Sequence, residues 1–188
     1  MDGEFTFKRV KKKPFEVGPF TVTAARVDHP VEAFAFRIEH QGKSLVYSGD
    51  TAACRQLTEL ATGADLLLAE AAFRDGEDNP PHIHMTGSEA AATAVEAGVG
   101  RLVLTHVPPW HDELDALREA EGVFAGPTTL AAEGSTYELR AGPDSRSAPA
   151  GLPTGVPTAG ETPLTTRPRA AGAASSGSTS PAVSRCWG

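Results

Sequence analysis

The stretch RVDHPVEAFAFRIEHQGKSLVYSGDT, residues 26–51, decides the fold of this chain. It contains two runs of β-type residues, AFAFRI at 33–38 and SLVY at 44–47, with a Gln-Gly dipeptide as the turn between them. A further β-type run, TVTAARV at 21–27, leads into it, and the polar sequence SGDT closes it. Together, these three runs predict three short strands followed by a polar loop. Folds commonly present reactive side chains in such loops.

Beyond this stretch, predicted helices alternate with predicted strands. Thr86 or Ser88 can cap the middle helix, and Gly98 and Gly100 stop it. Apolar strands joined by helices indicate a layered α/β arrangement. The predicted helices span residues 52–61, 88–97 and 112–121, and the predicted strands span 65–69, 101–104, about 128–131 and about 136–139.

Composition divides the chain near Gly142. Residues 1–141 form the predicted folded domain, whereas 35 of the 47 residues from 142 to 188 are Ala, Gly, Pro, Ser or Thr. Such a segment buries too little apolar surface to offset its chain entropy, so we expect a disordered tail. The tail is either a functional linker or interaction segment, or the frame-shifted translation of GC-rich DNA. We favour the second explanation because the tail contains no recognisable ligand motif.

Charge and cysteine content restrict the classes of function. Residues 1–141 carry a net charge of −9 and the tail +2, which argues against a large phosphate-binding surface. The basic run at residues 8–13 is expected to be a solvated edge strand or turn. No apolar run is long enough to span a bilayer, no signal peptide is recognisable, and Cys54 and Cys186 are far apart. We therefore expect a soluble cytoplasmic protein.

Three polar residues follow predicted strands: His29, Asp50 and His106. Two imidazoles and a carboxylate suit Zn²⁺ or Mn²⁺, and a carboxylate can bridge two ions. Each residue also has an ordinary explanation. His29 precedes a proline and fits a turn, Asp50 fits a turn or a helix N-cap, and His106 can simply end a strand. Spacing alone leaves these alternatives open.

The order of the motifs carries a family resemblance. Residues 26–51 are followed by ADLLLAEAAF at 64–73 and HMTGSEAAATAVEAGVGRLVLTHVPP at 84–109. From about residue 17 to 139 the chain resembles the C-terminal half of the metallo-β-lactamase superfamily, in its branch of ribonuclease Z and cyclic-nucleotide phosphodiesterases. The resemblance implies half of an αββα sandwich, that is, a mixed sheet with flanking helices.

The resemblance also implies roles for five residues. His29 would bind one metal ion, Asp50 would bridge two, and His106 would bind the second. Glu70 and His84 would pair beside the scissile phosphate. The implied cofactor is Zn²⁺, two per complete family site, with Mn²⁺ as the alternative. His82 does not fall on the motif, and His111 is expected to be a surface helix start.

The superfamily motif His-x-His-x-Asp-His, which supplies most metal ligands, does not occur in the sequence. Three ligands for two ions are fewer than zinc normally takes. We therefore expect a fragment of a metal-dependent phosphodiester hydrolase, inactive alone, whose sheet is left with exposed apolar surface. Three explanations stay open: Met1 is a misplaced start, the protein is a true fragment, or another chain supplies the missing half.

The sequence VPPW after His106 resembles the continuation of the cyclic-nucleotide phosphodiesterases more than that of ribonuclease Z, and this resemblance implies a cyclic-nucleotide phosphodiesterase. A ribonuclease Z-type endonuclease acting on tRNA 3′ ends is one alternative, and a non-catalytic remnant or assembly module is another. The expected partners are a phosphodiester substrate, either a cyclic nucleotide or an RNA 3′ end, and a second copy or the missing half.

Overall fold

Strand direction divides the sheet into an antiparallel part and a parallel part. The computed structural model describes Val10 and residues 13–139. Within this part, seven strands pair in chain order: β1 to β4 are antiparallel, and β4 to β7 are parallel. The strands are β1 Phe15–Val17, β2 Phe20–Arg26, β3 Phe34–His40, β4 Lys43–Tyr47, β5 Leu66–Glu70, β6 Leu102–Thr105 and β7 Thr128–Leu130.

Three helices join the parallel strands: α1 Arg55–Ala61, α2 Gly87–Ala97 and α3 Glu113–Glu121. Helix α2 packs on both α1 and α3, so the helices form one layer against the sheet. This mixed sheet with helices confirms the predicted α/β class, and the described residues form only part of the full sandwich. None of the helices in the described part has the length and apolar character to span a bilayer.

The main core lies between the helices and the sheet. Leu57, Leu67, Leu102 and Leu104 belong to it and are fully buried. Val46 also belongs to this core, so its neighbours Leu45 and Tyr47 point to the opposite face of the sheet. There Leu45 is half-buried and Tyr47 is 37% exposed. The described residues therefore leave apolar side chains partly uncovered on that face.

Local signals account for most element boundaries. Gln41 and Gly42 both have positive φ, as a two-residue hairpin turn requires. At the start of α2, Thr86 accepts a hydrogen bond from the backbone N–H of Glu89, whose side chain accepts one from Thr86 N–H. Gly98 ends this helix in the left-handed conformation. The turn and the capped helix were both predicted from sequence.

Some predicted boundaries are wrong. Helix α1 begins at Arg55 rather than at residue 52, because Ala52 N–H donates to the carbonyl oxygen of Asp28 (2.9 Å) and is held in an extended bridge. Residues 136–139 form no strand, and the hydroxyl of Tyr137 bonds the carbonyl oxygen of Leu130 instead (2.9 Å). The short strand β1 was not predicted. The proposed tail, residues 142–188, and most of the basic run at 8–13 lie outside the described residues.

Candidate functional site

Strand direction brings the predicted site residues to one edge of the sheet. Strands β4, β5 and β6 are parallel, and β2 runs the same way because β3 is antiparallel to both β2 and β4. The C-terminal ends of all four strands therefore share one edge. His29 follows β2, Asp50 follows β4, Glu70 ends β5 and His106 follows β6.

Glu70 is the buried anchor of this edge, with 1% of its surface exposed. Its Oε1 accepts the backbone N–H of Thr51 (2.7 Å) and lies 2.8 Å from Nδ1 of His84. Its Oε2 accepts the backbone N–H groups of Ala72 (3.2 Å) and Met85 (3.3 Å). Because both oxygens of Glu70 already accept backbone N–H groups, we assign His84 as the donor through Nδ1, which leaves Nε2 for another partner.

The His84 ring is the centre of an aromatic cluster. Its centroid lies 5.8 Å from that of His29, 5.3 Å from that of His106 and 5.1 Å from that of Phe73. The Phe73 ring meets it edge to face. The structure therefore brings His29, Glu70, His84 and His106 together, while their individual roles stay predictions.

A glycine shapes the loop that carries Asp50. Gly49 has φ +62°, and a Cβ there would lie 2.6 Å from the carbonyl oxygen of Phe34, so no larger residue fits. Ser48 precedes it and its hydroxyl accepts the backbone N–H of Glu70 (3.0 Å). Asp50 is not a helix cap, since the N-cap position of α1 is Cys54. Asp50 therefore belongs to the site edge rather than to the helix.

The negative charge of this edge reaches Tyr47. Burial raises the pKa of the Tyr47 hydroxyl above its usual value, and the carboxylates of Asp50 and Glu70 raise it further. His106 adds strain to the same edge, because it has φ +59°, which is uncommon for a residue other than glycine.

Sequence reasoning missed two features that support the site. Thr51 is fully buried, and its Oγ1 accepts the backbone N–H of Asp28 (3.1 Å), which holds the loop before His29. Nδ1 of His82 lies 2.7 Å from Oδ2 of Asp28, so His82 pairs with a carboxylate at the site rim. The position of Thr51 directly after Asp50 was a usable sequence signal for a supporting residue. No sequence signal indicated that His82 pairs with Asp28.

The metal that the family resemblance implies needs more ligands than this edge supplies. Among the residues that the structure describes, no three His, Cys, Asp or Glu side chains are grouped so that they could hold one ion. Nδ1 of His84 is committed to Glu70, and Glu70 is committed to backbone N–H groups. The described residues do not fit a complete metal centre.

Comparison with known proteins identifies the family. The model of the β-lactamase superfamily domain matches residues 4–107. A probable metallo-hydrolase of Bacillus subtilis, YhfI, is 37% identical over 128 residues, which are 67% of this chain and 52% of that protein. A ribonuclease Z of Synechococcus sp. (strain CC9605) is 45% identical over 103 residues, 50% of this chain and 32% of that enzyme. The chain spans about half the length of the curated relatives it matches.

Comparison with solved structures supports the same family. The crystal structure of Bacillus subtilis YhfI, a metallo-β-lactamase fold protein, superposes with a TM-score of 0.61 at 35% identity, over 64% of this chain and 50% of that one. The structure of Zn²⁺-bound PqqB from Methylobacterium extorquens gives a TM-score of 0.50 at 26% identity, over 68% of this chain and 50% of that one. The chain therefore belongs to the metallo-β-lactamase superfamily of hydrolases.

Proposed function

We propose that this chain supplies the half of a metal-dependent phosphodiester hydrolase that protonates the leaving group, and that it is inactive alone. The observation that carries the proposal is the contact between Glu70 Oε1 and His84 Nδ1, 2.8 Å, next to His29 and His106. A buried carboxylate that orients an imidazole is the usual arrangement for a general acid.

The reaction follows from this pair. Water supplies the oxygen that bonds to phosphorus and releases one proton to solvent. The P–O ester bond breaks, Nε2 of His84 gives its proton to the departing oxygen, and solvent then reprotonates His84. The carboxylate of Glu70 holds Nδ1–H of His84 and stabilises the charge on the imidazole before that transfer. Protonation of a leaving group by a positioned histidine contributes about 10²–10⁴-fold to rate.

His29, Asp50 and His106 are the proposed contributors to metal binding, with Zn²⁺ or Mn²⁺ as the ion. The described residues do not complete a centre, so further ligands must come from residues outside the described ranges or from a partner chain. This shortage supports the proposed inactivity of the chain by itself. It equally supports a non-catalytic assembly module, which the experiment below distinguishes.

The proposed substrate is a cyclic nucleotide. The acidic balance of residues 1–141 supports a substrate with a single phosphodiester over a polyanion. A ribonuclease Z-type activity on tRNA 3′ ends is the second candidate, because a ribonuclease Z is 45% identical over half of this chain. We place the proposed enzyme in the cytoplasm.

The test is complementation. The full chain is assayed alone and mixed with the purified N-terminal half of the Bacillus subtilis relative, with added Zn²⁺ or Mn²⁺, on cyclic AMP, bis(p-nitrophenyl) phosphate and a tRNA precursor. We expect no turnover alone and metal-dependent turnover of the first two substrates in the mixture. Turnover by the chain alone would contradict the proposed inactivity, and preference for the tRNA precursor would favour the second candidate.

Two histidine variants make the test specific. His84→Ala should lower the rate of the mixture by about 10²–10⁴-fold. His40→Ala is the control, because His40 lies at the β3–β4 turn, at the opposite end of these strands from Asp50. Equal rates for the two variants would refute the role of His84. Binding of the two halves without any turnover would favour the assembly module.

A further inference from the structure

A cavity of about 600 Å³ opens directly beside His84 and His106. Its walls come from the loop at residues 77–80 and from the segment at 107–111 that follows β6. This volume lies within the range of about 300–1,000 Å³ that is typical of small-molecule sites. The cavity is therefore large enough for a group attached to a phosphate held at His84.

Two aromatic side chains line the cavity. Trp110 lines it and is 78% exposed, although a tryptophan gains more than most residues from burial. Phe73 lines it as well and packs edge to face on His84. An exposed indole in the wall of such a cavity is suited to stack on a nucleobase.

The polar wall of the cavity is acidic. Glu77 and Asp78 line it, and the described lining residues include no lysine or arginine. Two carboxylates without a cation repel a ligand that carries further phosphates there. They accept hydrogen bonds from amino groups, which adenine has on its ring and uracil lacks. The charge of this wall therefore selects an amino-bearing base rather than a polyanion.

The acidic loop is held in place by Asn79. Its side-chain N–H donates to the carbonyl oxygen of Arg74 (2.8 Å), and its backbone N–H donates to that of Glu77 (3.0 Å). Arg74 is in turn paired with Asp115 on α3. The loop is thus fixed before a ligand arrives, which reduces the entropy cost of binding.

His111 closes the cavity next to Trp110, with ring centroids 6.2 Å apart. Its backbone N–H bonds the carbonyl oxygen of Pro108 (3.0 Å). Its Nδ1 is buried and has no hydrogen-bond partner in the part of the chain that the structure describes. Such unpaired buried atoms are uncommon in native proteins, and a bound water, an ion or a ligand is one explanation for them. His111 is thus part of the cavity wall rather than only the start of a surface helix.

We infer that this cavity is a nucleobase subsite in which an amino-bearing base stacks on Trp110 and donates to Glu77 or Asp78. The inference rests on the proposed phosphodiester hydrolase, because it places the phosphate at His84. It adds Trp110 as a specificity-determining residue and a nucleotide with one phosphate as the ligand class.

Fluorescence of the full chain tests the inference without metal or turnover. The sequence has two tryptophans, so Trp187→Phe leaves Trp110 as the sole reporter. Adenosine 5′-monophosphate, uridine 5′-monophosphate and ribose 5-phosphate are titrated in the presence of a chelator. We expect saturable quenching by the adenine nucleotide, with a dissociation constant on the order of 1 mM or tighter, and at least tenfold weaker binding of the other two.

Calorimetric titration of variants locates the site. Trp110→Ala should weaken binding of the adenine nucleotide about 5- to 100-fold, while Trp110→Phe should keep most of it. The double variant Glu77→Ala/Asp78→Ala should reduce the preference for adenine over uracil. Val95→Ala, at an exposed apolar residue of α2 outside the cavity, is the control. Circular dichroism verifies that each variant is folded.

Three results would overturn the inference. Two of them are equal binding of all three compounds and undiminished adenine binding by Trp110→Ala. Tighter binding of an adenine oligoribonucleotide than of the mononucleotide at 0.15 M salt would also do so. Because binding is measured without metal, a failure of phosphodiester hydrolysis leaves these results intact. Conversely, if the mixture hydrolyses bis(p-nitrophenyl) phosphate but the chain binds the three phosphates equally, only the subsite is refuted.

Discussion

Oε1 of Glu70 is 2.8 Å from Nδ1 of His84, and the same oxygen accepts the backbone N–H of Thr51. The carboxylate therefore ties three segments together: the end of β5, the loop after β4 and the loop before α2. One buried charge both stabilises the folded edge and orients the proposed general acid. Its two tasks can be separated by experiment.

Glu70→Gln should lower the free energy of unfolding by about 1–3 kcal/mol. The amide replaces one acceptor oxygen by a donor, so at least one of the backbone N–H groups now bonded to Glu70 faces an N–H group. Urea unfolding followed by circular dichroism measures the loss. Glu96→Gln, at an exposed position of α2, is the control and should change stability by less than about 0.5 kcal/mol. Equal effects of the two substitutions would contradict the anchoring role of Glu70.

Thr51→Val should also destabilise the chain by about 1–3 kcal/mol, since the methyl group cannot accept the backbone N–H of Asp28. Thr51→Ser retains the hydroxyl and is the matched control, with a smaller loss from the missing methyl group. Urea unfolding measures both. The amide of Asp28 should exchange with solvent faster in the valine variant than in the serine variant. Similar exchange rates would show that Thr51 does not hold the loop that leads to His29.

The full chain should bind fewer than two equivalents of Zn²⁺ with micromolar or better affinity. The reason is that the described residues offer no group of three ligands for one ion. Calorimetric titration measures the stoichiometry. His29→Ala, Asp50→Asn and His106→Ala should weaken whatever binding occurs, and His82→Ala should not, since His82 faces Asp28. Two tight equivalents, or a loss limited to His82→Ala, would contradict the proposed ligand set.

Short-range rules are sufficient for much of the fold. The Gln41-Gly42 turn has positive φ at both residues, and Thr86 caps α2, because in each case neighbouring residues decide the conformation. The start of α1 was placed too early because an interaction with Asp28, distant in sequence, holds Ala52 extended. Long-range pairing of this kind leaves no local signal.

In the site, too, some features follow from the local sequence and others depend on long-range pairing. The positions of His29, Asp50 and His106 after strands are visible in the sequence, whereas their convergence depends on the parallel order of β4, β5 and β6. The cavity beside Trp110 could not be predicted, because its two walls come from loops more than 25 residues apart that meet only in the folded chain. His111 was accordingly taken for a surface residue.

Asp65 should make the stability of the chain depend on acid pH. Burial opposes its ionisation, but hydrogen bonds from Lys43 and from the backbone and hydroxyl of Ser44 outweigh this and hold the pKa of Asp65 below its usual value. A carboxylate with a lowered pKa contributes stability above its unfolded pKa, near 4, and loses it as pH falls through the folded pKa. Asp65→Ala should therefore cost about 1–3 kcal/mol at pH 7, and the difference from the unsubstituted chain should shrink below about pH 4. Urea unfolding at a series of pH values measures this, with Glu32→Gln at an exposed site as the control. A difference that stays constant down to pH 2 would mean that Asp65 acts through packing rather than through its charge.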